Sequence, residues 1–182
     1  MKTARKAMRK PYRHRRRFGR AQEEMAPGHP EQSNKLPATM CCERCGVVYG
    51  GGRWHWAPRP ADARPCECPA CQRIRNRAPA GMVQLSGSSV AAHAEEIKHL
   101  ARHQEEAEKS EHPLNRIMAI EENPQGLRIS TTDIHLPRRI GQAVRRAYRG
   151  ALRIKFDESG DFVSVEWTSP AEKRAGASGG PR

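Results

Sequence analysis

Hydrophobic positions along the chain follow three successive rhythms. Residues 21–38 carry none: Pro, Gly, Gln and Ser mix without period, which predicts a linker, with ordered structure starting near Met40. Between 40 and 87 short apolar patches alternate around turn residues. Val47-Val48-Tyr49 and Arg53-Trp54-His55-Trp56 flank Gly50-Gly51-Gly52, the pattern of a β-hairpin. From Ser88 the spacing turns helical: Val90, His93, Ala94, Ile97, Leu100 and Ala101 recur on one side, with Glu95, Glu96, Lys98 and Arg102 on the other. This predicts an amphipathic helix reaching about Lys109. Its polar second half would leave the core or serve as a connector, and Pro113 closes the region.

The C-terminal third alternates strand and helix patterns. Residues 116–120 read as a strand, Asn123-Pro124-Gln125-Gly126 as a turn and Leu127–Thr132 as a second strand. Asp133 is placed to cap a helix over 134–149 whose apolar stripe is Ile134, Ile140, Ala143, Val144, Ala147 and Tyr148. Pro137 lies in the first turn and Gly150 stands where the helix would stop. Leu152, Ile154 and Phe156, then Val163, Val165 and Trp167, alternate with polar residues around the turn 158–161. The fold class expected is α+β: a small ribbon, a connecting helix, then a β-β-α-β-β layer with one helix on an antiparallel sheet. The divisions are 1–38 (arm and linker), 39–87 (ribbon), 88–112 (helix), 113–168 (layer) and 169–182 (a Gly, Ala, Ser and Pro tail expected to be disordered).

Composition limits what such a chain can do. With 182 residues, 36% hydrophobic and 5% aromatic, a large α/β enzyme core is excluded. No apolar run suits a bilayer span and no hydrophobic stretch follows the basic N-terminus, so a soluble, cytoplasmic protein is expected. The net charge of +13 points to a polyanionic partner, with nucleic acid foremost. Lys2, Arg5, Lys6, Arg9, Lys10, Arg13, Arg15, Arg16, Arg17 and Arg20 supply ten of those charges without an intervening acid. This is the pattern of a disordered arm, in which Tyr12 and Phe18 could stack on bases; a merely solubilising tail is the plainer alternative. The helix over 134–149 presents Arg138, Arg139, Arg145, Arg146 and Arg149 with no acid on its own polar face, and Arg153 and Lys155 extend the patch. Planar guanidinium forks suit phosphate.

The sharpest chemistry lies in the cysteines. Cys42-x2-Cys45 and Cys68-x2-Cys71, separated by 22 residues, have the spacing of one structural zinc site: two knuckles each deliver a pair of thiolates to a tetrahedral ion and leave no open coordination position. Gly46 suits the positive φ of a knuckle. A disulfide framework is disfavoured in a reducing compartment, and neither pair has the βαβ setting of a thioredoxin-like motif. Cys41 and Cys66 are left over, either as spare thiols or as a replacement for a neighbouring ligand. Other constellations are weaker. Trp54 and Trp56 read as packing residues before a base-stacking platform, and His99 and His103, one turn apart, as a solvated face before a metal site. The Gly triplet lacks the Lys-Ser/Thr of a phosphate loop, and Asp133 with His135 reads as capping rather than as an acid/base pair, so no catalytic group is assigned.

Several stretches carry a resemblance: Met40-Cys41-Cys42-Glu43-Arg44-Cys45-Gly46-Val47-Val48-Tyr49, Gly52-Arg53-Trp54, Cys68-Pro69-Ala70-Cys71-Gln72-Arg73-Ile74-Arg75, Pro79-Ala80-Gly81 and Thr131-Thr132-Asp133-Ile134-His135-Leu136-Pro137-Arg138-Arg139-Ile140-Gly141. Together they resemble a bacterial zinc-ribbon family that is itself similar to the N-terminal part of the nonsense-mediated-decay-three protein, the export adaptor of the large ribosomal subunit. The resemblance spans about 40–168 and implies a zinc-bearing module associated with RNA or the ribosome. The export role does not transfer, and the adaptor's several knuckles are here reduced to one four-cysteine set. The expected function is a non-enzymatic RNA-binding protein acting on ribosomal RNA or the large subunit, in assembly, quality control or stress. A DNA-binding or transcription-associated zinc ribbon is the alternative.

Overall fold

The computed structural model describes residues 39–170. The arm bearing Arg9, Lys10, Arg13, Arg15, Arg16 and Arg17, and the C-terminal tail, lie outside the described residues. The described residues form two sheets and four helices.

The first sheet has the order β3-β2-β1-β4, built from β1 (Met40–Cys42), β2 (Val48–Gly50), β3 (Arg53–His55) and β4 (Arg64–Cys66). β2 and β3 form the hairpin expected around the Gly triplet. Gly51 and Gly52, at φ 59° and 80°, take the left-handed pair of conformations that a tight two-residue turn needs. β4 pairs parallel to β1 and brings Cys66 beside Cys42. A short helix, α1 (Pro69–Asn76), follows: Cys68 is its N-cap, Pro69 fills its first position, and Arg77 in the left-handed region ends it.

The second sheet has the order β6-β7-β5-β9-β8, from β5 (Gly81–Ser86), β6 (Ile117–Asn123), β7 (Gly126–Thr131), β8 (Ala151–Phe156) and β9 (Val163–Thr168). Both sequence-expected hairpins are present, but β5 lies between them, antiparallel to β7 and parallel to β9. The layer is therefore five-stranded and mixed rather than antiparallel, and residues 81–86, grouped with the ribbon by sequence, form its centre. Alternation buries Val83 and Leu85 from β5, Leu127 and Ile129 from β7, and Val163, Val165 and Trp167 from β9.

Helices α2 (Ser88–Ala92), α3 (Ala94–Glu111) and α4 (Leu136–Ala147) complete that core with Val90, Ile97, Ala101, Leu136, Ile140 and Val144. The single helix expected over 88–112 breaks at His93, whose φ of −124° is not helical. Helix α4 begins at Leu136, two residues later than expected, with His135 as its N-cap; the Asp133 carboxylate holds this start by accepting the amide N–H groups of His135 and Leu136 at 2.9–3.1 Å. It stops at Ala147, with Tyr148 extended, so Gly150 is not its stop and Arg149 stands beyond it. Gly150 serves packing instead: a Cβ there would lie 2.4 Å from the indole of buried Trp167.

Candidate metal centre

Each knuckle arises from local geometry. Gly46, at φ 76°, donates its N–H to the Cys42 carbonyl at 2.8 Å, closing the first turn. The second knuckle is the first turn of α1, where free amide N–H groups favour thiolate: the Cys68 sulfur accepts from the Cys71 N–H at 3.4 Å. The Cys68 N–H in turn points at the Cys42 sulfur, 3.3 Å away.

The four sulfurs of Cys42, Cys45, Cys68 and Cys71 lie within 4.8 Å of one another, and no cysteine among the described residues is in a disulfide. Cys42 and Cys71 are 3.8 Å apart and Cys45 and Cys68 3.6 Å. A tetrahedron with metal–sulfur bonds of ~2.3 Å has sulfur–sulfur edges of about 3.8 Å, so the set fits a divalent ion such as zinc bound by four thiolates. Cys42, Cys68 and Cys71 are buried, and Val47, Ala70, Trp54 and Leu114 pack around the cluster. Burial pushes the Cys71 thiol up to about 11 and Cys68 further. At Cys42 burial also opposes ionisation, but amide N–H groups of Cys68, Cys45 and Arg44 outweigh it and hold the thiol at about 7. Cys41 packs on the opposite side of β1 with Val48 and Ala63; Cys66, raised to about 11 chiefly by burial, is not among the four converging sulfurs.

Sequence reasoning missed one residue of the centre. Arg116, only 8% exposed, donates from Nη2 to the Cys45 sulfur at 3.2 Å, from Nη1 to the Cys71 sulfur at 3.8 Å and from Nε to the Pro113 carbonyl at 2.7 Å. Burial works against its charge, yet the sulfur of Cys45 holds its pKa above the ordinary value. Trp56 lies over the same guanidinium at 5.8 Å and donates its indole N–H to the Lys109 carbonyl at 2.7 Å. Trp54 packs on the cysteine cluster and tilts against Tyr49. Trp54 thus takes the packing role, whereas Trp56 is 42% exposed and is held by its indole hydrogen bond.

The arginine patch departs from its sequence reading beyond the loss of Arg149 from the helix. Arg139 has an acidic partner, the buried Glu108 of α3, at 2.5 Å, and Asn115 donates to the same carboxylate at 3.1 Å. Arg138 is half-buried, with its guanidinium over the Phe156 ring at 5.7 Å. Arg145, Arg146, Arg149 and Arg153 are exposed and make no hydrogen bond or ion pair to another described residue, while Lys155 pairs with Glu166 at 3.7 Å. The segment Thr131-Thr132-Asp133 joins this helix to the metal centre: Thr132 accepts the Arg116 N–H at 2.9 Å, and Asp133 caps α4. Among the described residues no other group of His, Cys, Asp and Glu is placed to hold a metal, and no helix is long and apolar enough to cross a membrane.

Comparison with protein families, with functionally described proteins and with solved structures finds no match.

Proposed function

We propose that this protein is a non-catalytic, zinc-stabilised RNA-binding protein acting on ribosomal RNA or the large ribosomal subunit. The supporting observation is the set Arg145 and Arg146 on the packed helix α4, Arg153 on strand β8 and Arg149 in the link between them, all exposed and unpaired among the described residues. Guanidinium groups left without internal acids are suited to phosphate, and a rigid mount fixes register in a way an extended basic segment does not. The four-thiolate site is a structural element in this reading: a closed tetrahedron offers no position for substrate. The basic arm adds sequence-independent affinity. The resemblance to the ribosomal adaptor supplies the choice of ribosomal RNA.

Equilibrium binding to ribosomal RNA and to duplex DNA across a salt series tests the proposal. Arg145→Gln, Arg146→Gln and Arg149→Gln together are expected to remove the preference for ribosomal RNA over a random competitor. They should flatten the log–log salt slope by about 0.7 per lost phosphate contact. Removing residues 1–20 should weaken all sequences alike. Co-sedimentation with ribosomes, abolished by RNase and not by DNase, is the accompanying result. A triple variant that keeps its full preference would show that the folded part only carries a basic tail.

A further inference from the structure

The outer edge of the second sheet is not covered as its interior is. On β9 the residues facing the helices, Val163, Val165 and Trp167, are fully buried. On the neighbouring edge strand β8 the equivalent row is open: Leu152 and Ile154 are half-exposed and Phe156 is 46% exposed. Helix α4 runs beside this row without closing over it. It contributes a wall of Arg138, Gln142, Arg145 and Arg146, which share one stripe because Gln142 follows Arg138 by four residues and Arg145 and Arg146 follow Gln142 by three and four. Between wall and floor lies a channel of about 380 Å³ lined by Gln142, Arg145, Arg146, Leu152 and Ile154. Phe156 with Arg138 over its ring marks one end, and the buried Nε of Arg138 has no hydrogen-bond acceptor among the described residues.

We infer that this channel receives the bases of single-stranded RNA, an inference that rests on the RNA-binding reading above. The floor of two aliphatic side chains offers apolar contact to flat rings, and the exposed Phe156 ring, next on the same face of β8, offers π contact. The arginine wall neutralises the backbone that must follow those rings. Gln142, carrying both donor and acceptor, is the neutral group in the wall able to meet a base edge. A duplex keeps its bases stacked inside and would leave Phe156 and Ile154 without a partner. A peptide strand could pair with the free edge of β8, but it would lie against Arg145, Arg146 and Arg153, so only a strongly acidic one would fit. Phosphodiester meets that charge at every residue.

The test uses the full-length, zinc-loaded protein at ~0.3 M salt, where contacts from exposed basic segments are screened. Fluorescence anisotropy compares a 12-nucleotide oligo(A), a 12-nucleotide oligo(U), a 12-base-pair RNA duplex and an oligoglutamate peptide. The expected result is tighter binding of the single strands than of the duplex. Phe156→Ala should weaken them about 5- to 100-fold, Phe156→Tyr should restore binding, and the duplex affinity should be unchanged by either substitution. Phe156 is an exposed side chain, and an unchanged melting profile checks that its loss leaves the fold intact. Equal binding of single strand and duplex, or single-strand binding indifferent to Phe156→Ala, overturns this inference while leaving RNA binding standing. Binding of oligoglutamate and of no RNA overturns both.

Discussion

Replacing Arg116 by Leu removes the one buried cation among the described residues that touches the thiolate cluster. Four thiolates on a divalent ion carry two net negative charges, in a pocket where three of the four cysteines are buried, and the guanidinium neutralises half of that at 3.2 and 3.8 Å from two sulfurs. A hydrogen bond to a charged group contributes about 1.5–3 kcal/mol, and the longer contact counts for less. Outer partners of metal ligands elsewhere cost 10- to 100-fold in affinity when removed. The expected loss in Arg116→Leu is therefore about 1.4–2.7 kcal/mol, or roughly 10- to 100-fold in zinc dissociation constant. Arg116→Lys, which keeps the charge but loses the fork, should fall between. Competition against a chromophoric chelator reads the affinity, and Trp56 fluorescence reports the same event from the guanidinium's other side. The metal-free protein provides a control of opposite sign. With Cys68 and Cys71 protonated and no metal to hold the four sulfurs as thiolates, Arg116 is a buried charge short of a counter-charge, so Leu there should be neutral or stabilising. Zinc affinity within twofold of wild type, or equal destabilisation with and without metal, would refute the charge-compensation argument.

Other expectations follow from the same structure. Cys68→Ser should abolish stoichiometric zinc and unfold the ribbon, as seen by metal analysis and hydrogen exchange, whereas Cys66→Ser should retain the full metal content because its sulfur lies outside the cluster. Zinc affinity should rise with pH. Cys71, at about 11, and Cys68, higher still, hold protons near neutrality that the metal must expel, giving a slope of at least two log units per pH unit near neutrality. Below about 7 Cys42 also becomes protonated and the slope should steepen; a flat profile would contradict the burial argument. Gly126→Ala should lower stability by about 2–4 kcal/mol in a denaturant titration. Its φ of +135° disfavours a side chain, and a Cβ would lie 2.1 Å from the Leu85 carbonyl oxygen.

What the sequence made legible is what periodicity and spacing encode. The two hairpins of the second sheet, the Asp133 cap and α4 rest on local patterns, and the cysteine spacing converged on one cluster. Short elements escaped. Strand β4 is three residues long, and α1 is an eight-residue polar helix whose start is a ligand cysteine. Strand β5 reads as one more apolar patch near the ribbon, because nothing within Gly81–Ser86 states that its partners are β7 and β9. The break at His93 was hidden because apolar spacing runs on across it. Arg116 was invisible for a different reason. It precedes a strand as an ordinary polar residue, and its role comes from a sulfur 71 positions away in the chain. The Arg139–Glu108 pair likewise joins two helices, so an inventory of one helix's own polar face could not contain it.

The central position of β5 bears on how the chain acquires its fold during synthesis. β5 is the first strand of its sheet to leave the ribosome, and β9, its parallel neighbour, is the last. About 80 residues separate them, which at ordinary elongation speeds corresponds to about 4–16 s. Through that interval one edge of β5 waits without its neighbour, although β7 can already occupy the other side. A ribosome stalled before Val163 would carry a sheet open along its middle rather than at its rim, a state prone to intermolecular pairing. The ribbon needs only residues through Arg116 and can close around its metal well before then. Assembly therefore has a built-in order, with the four-cysteine ribbon completed first and the edge strand β8 seated only when the final strand arrives.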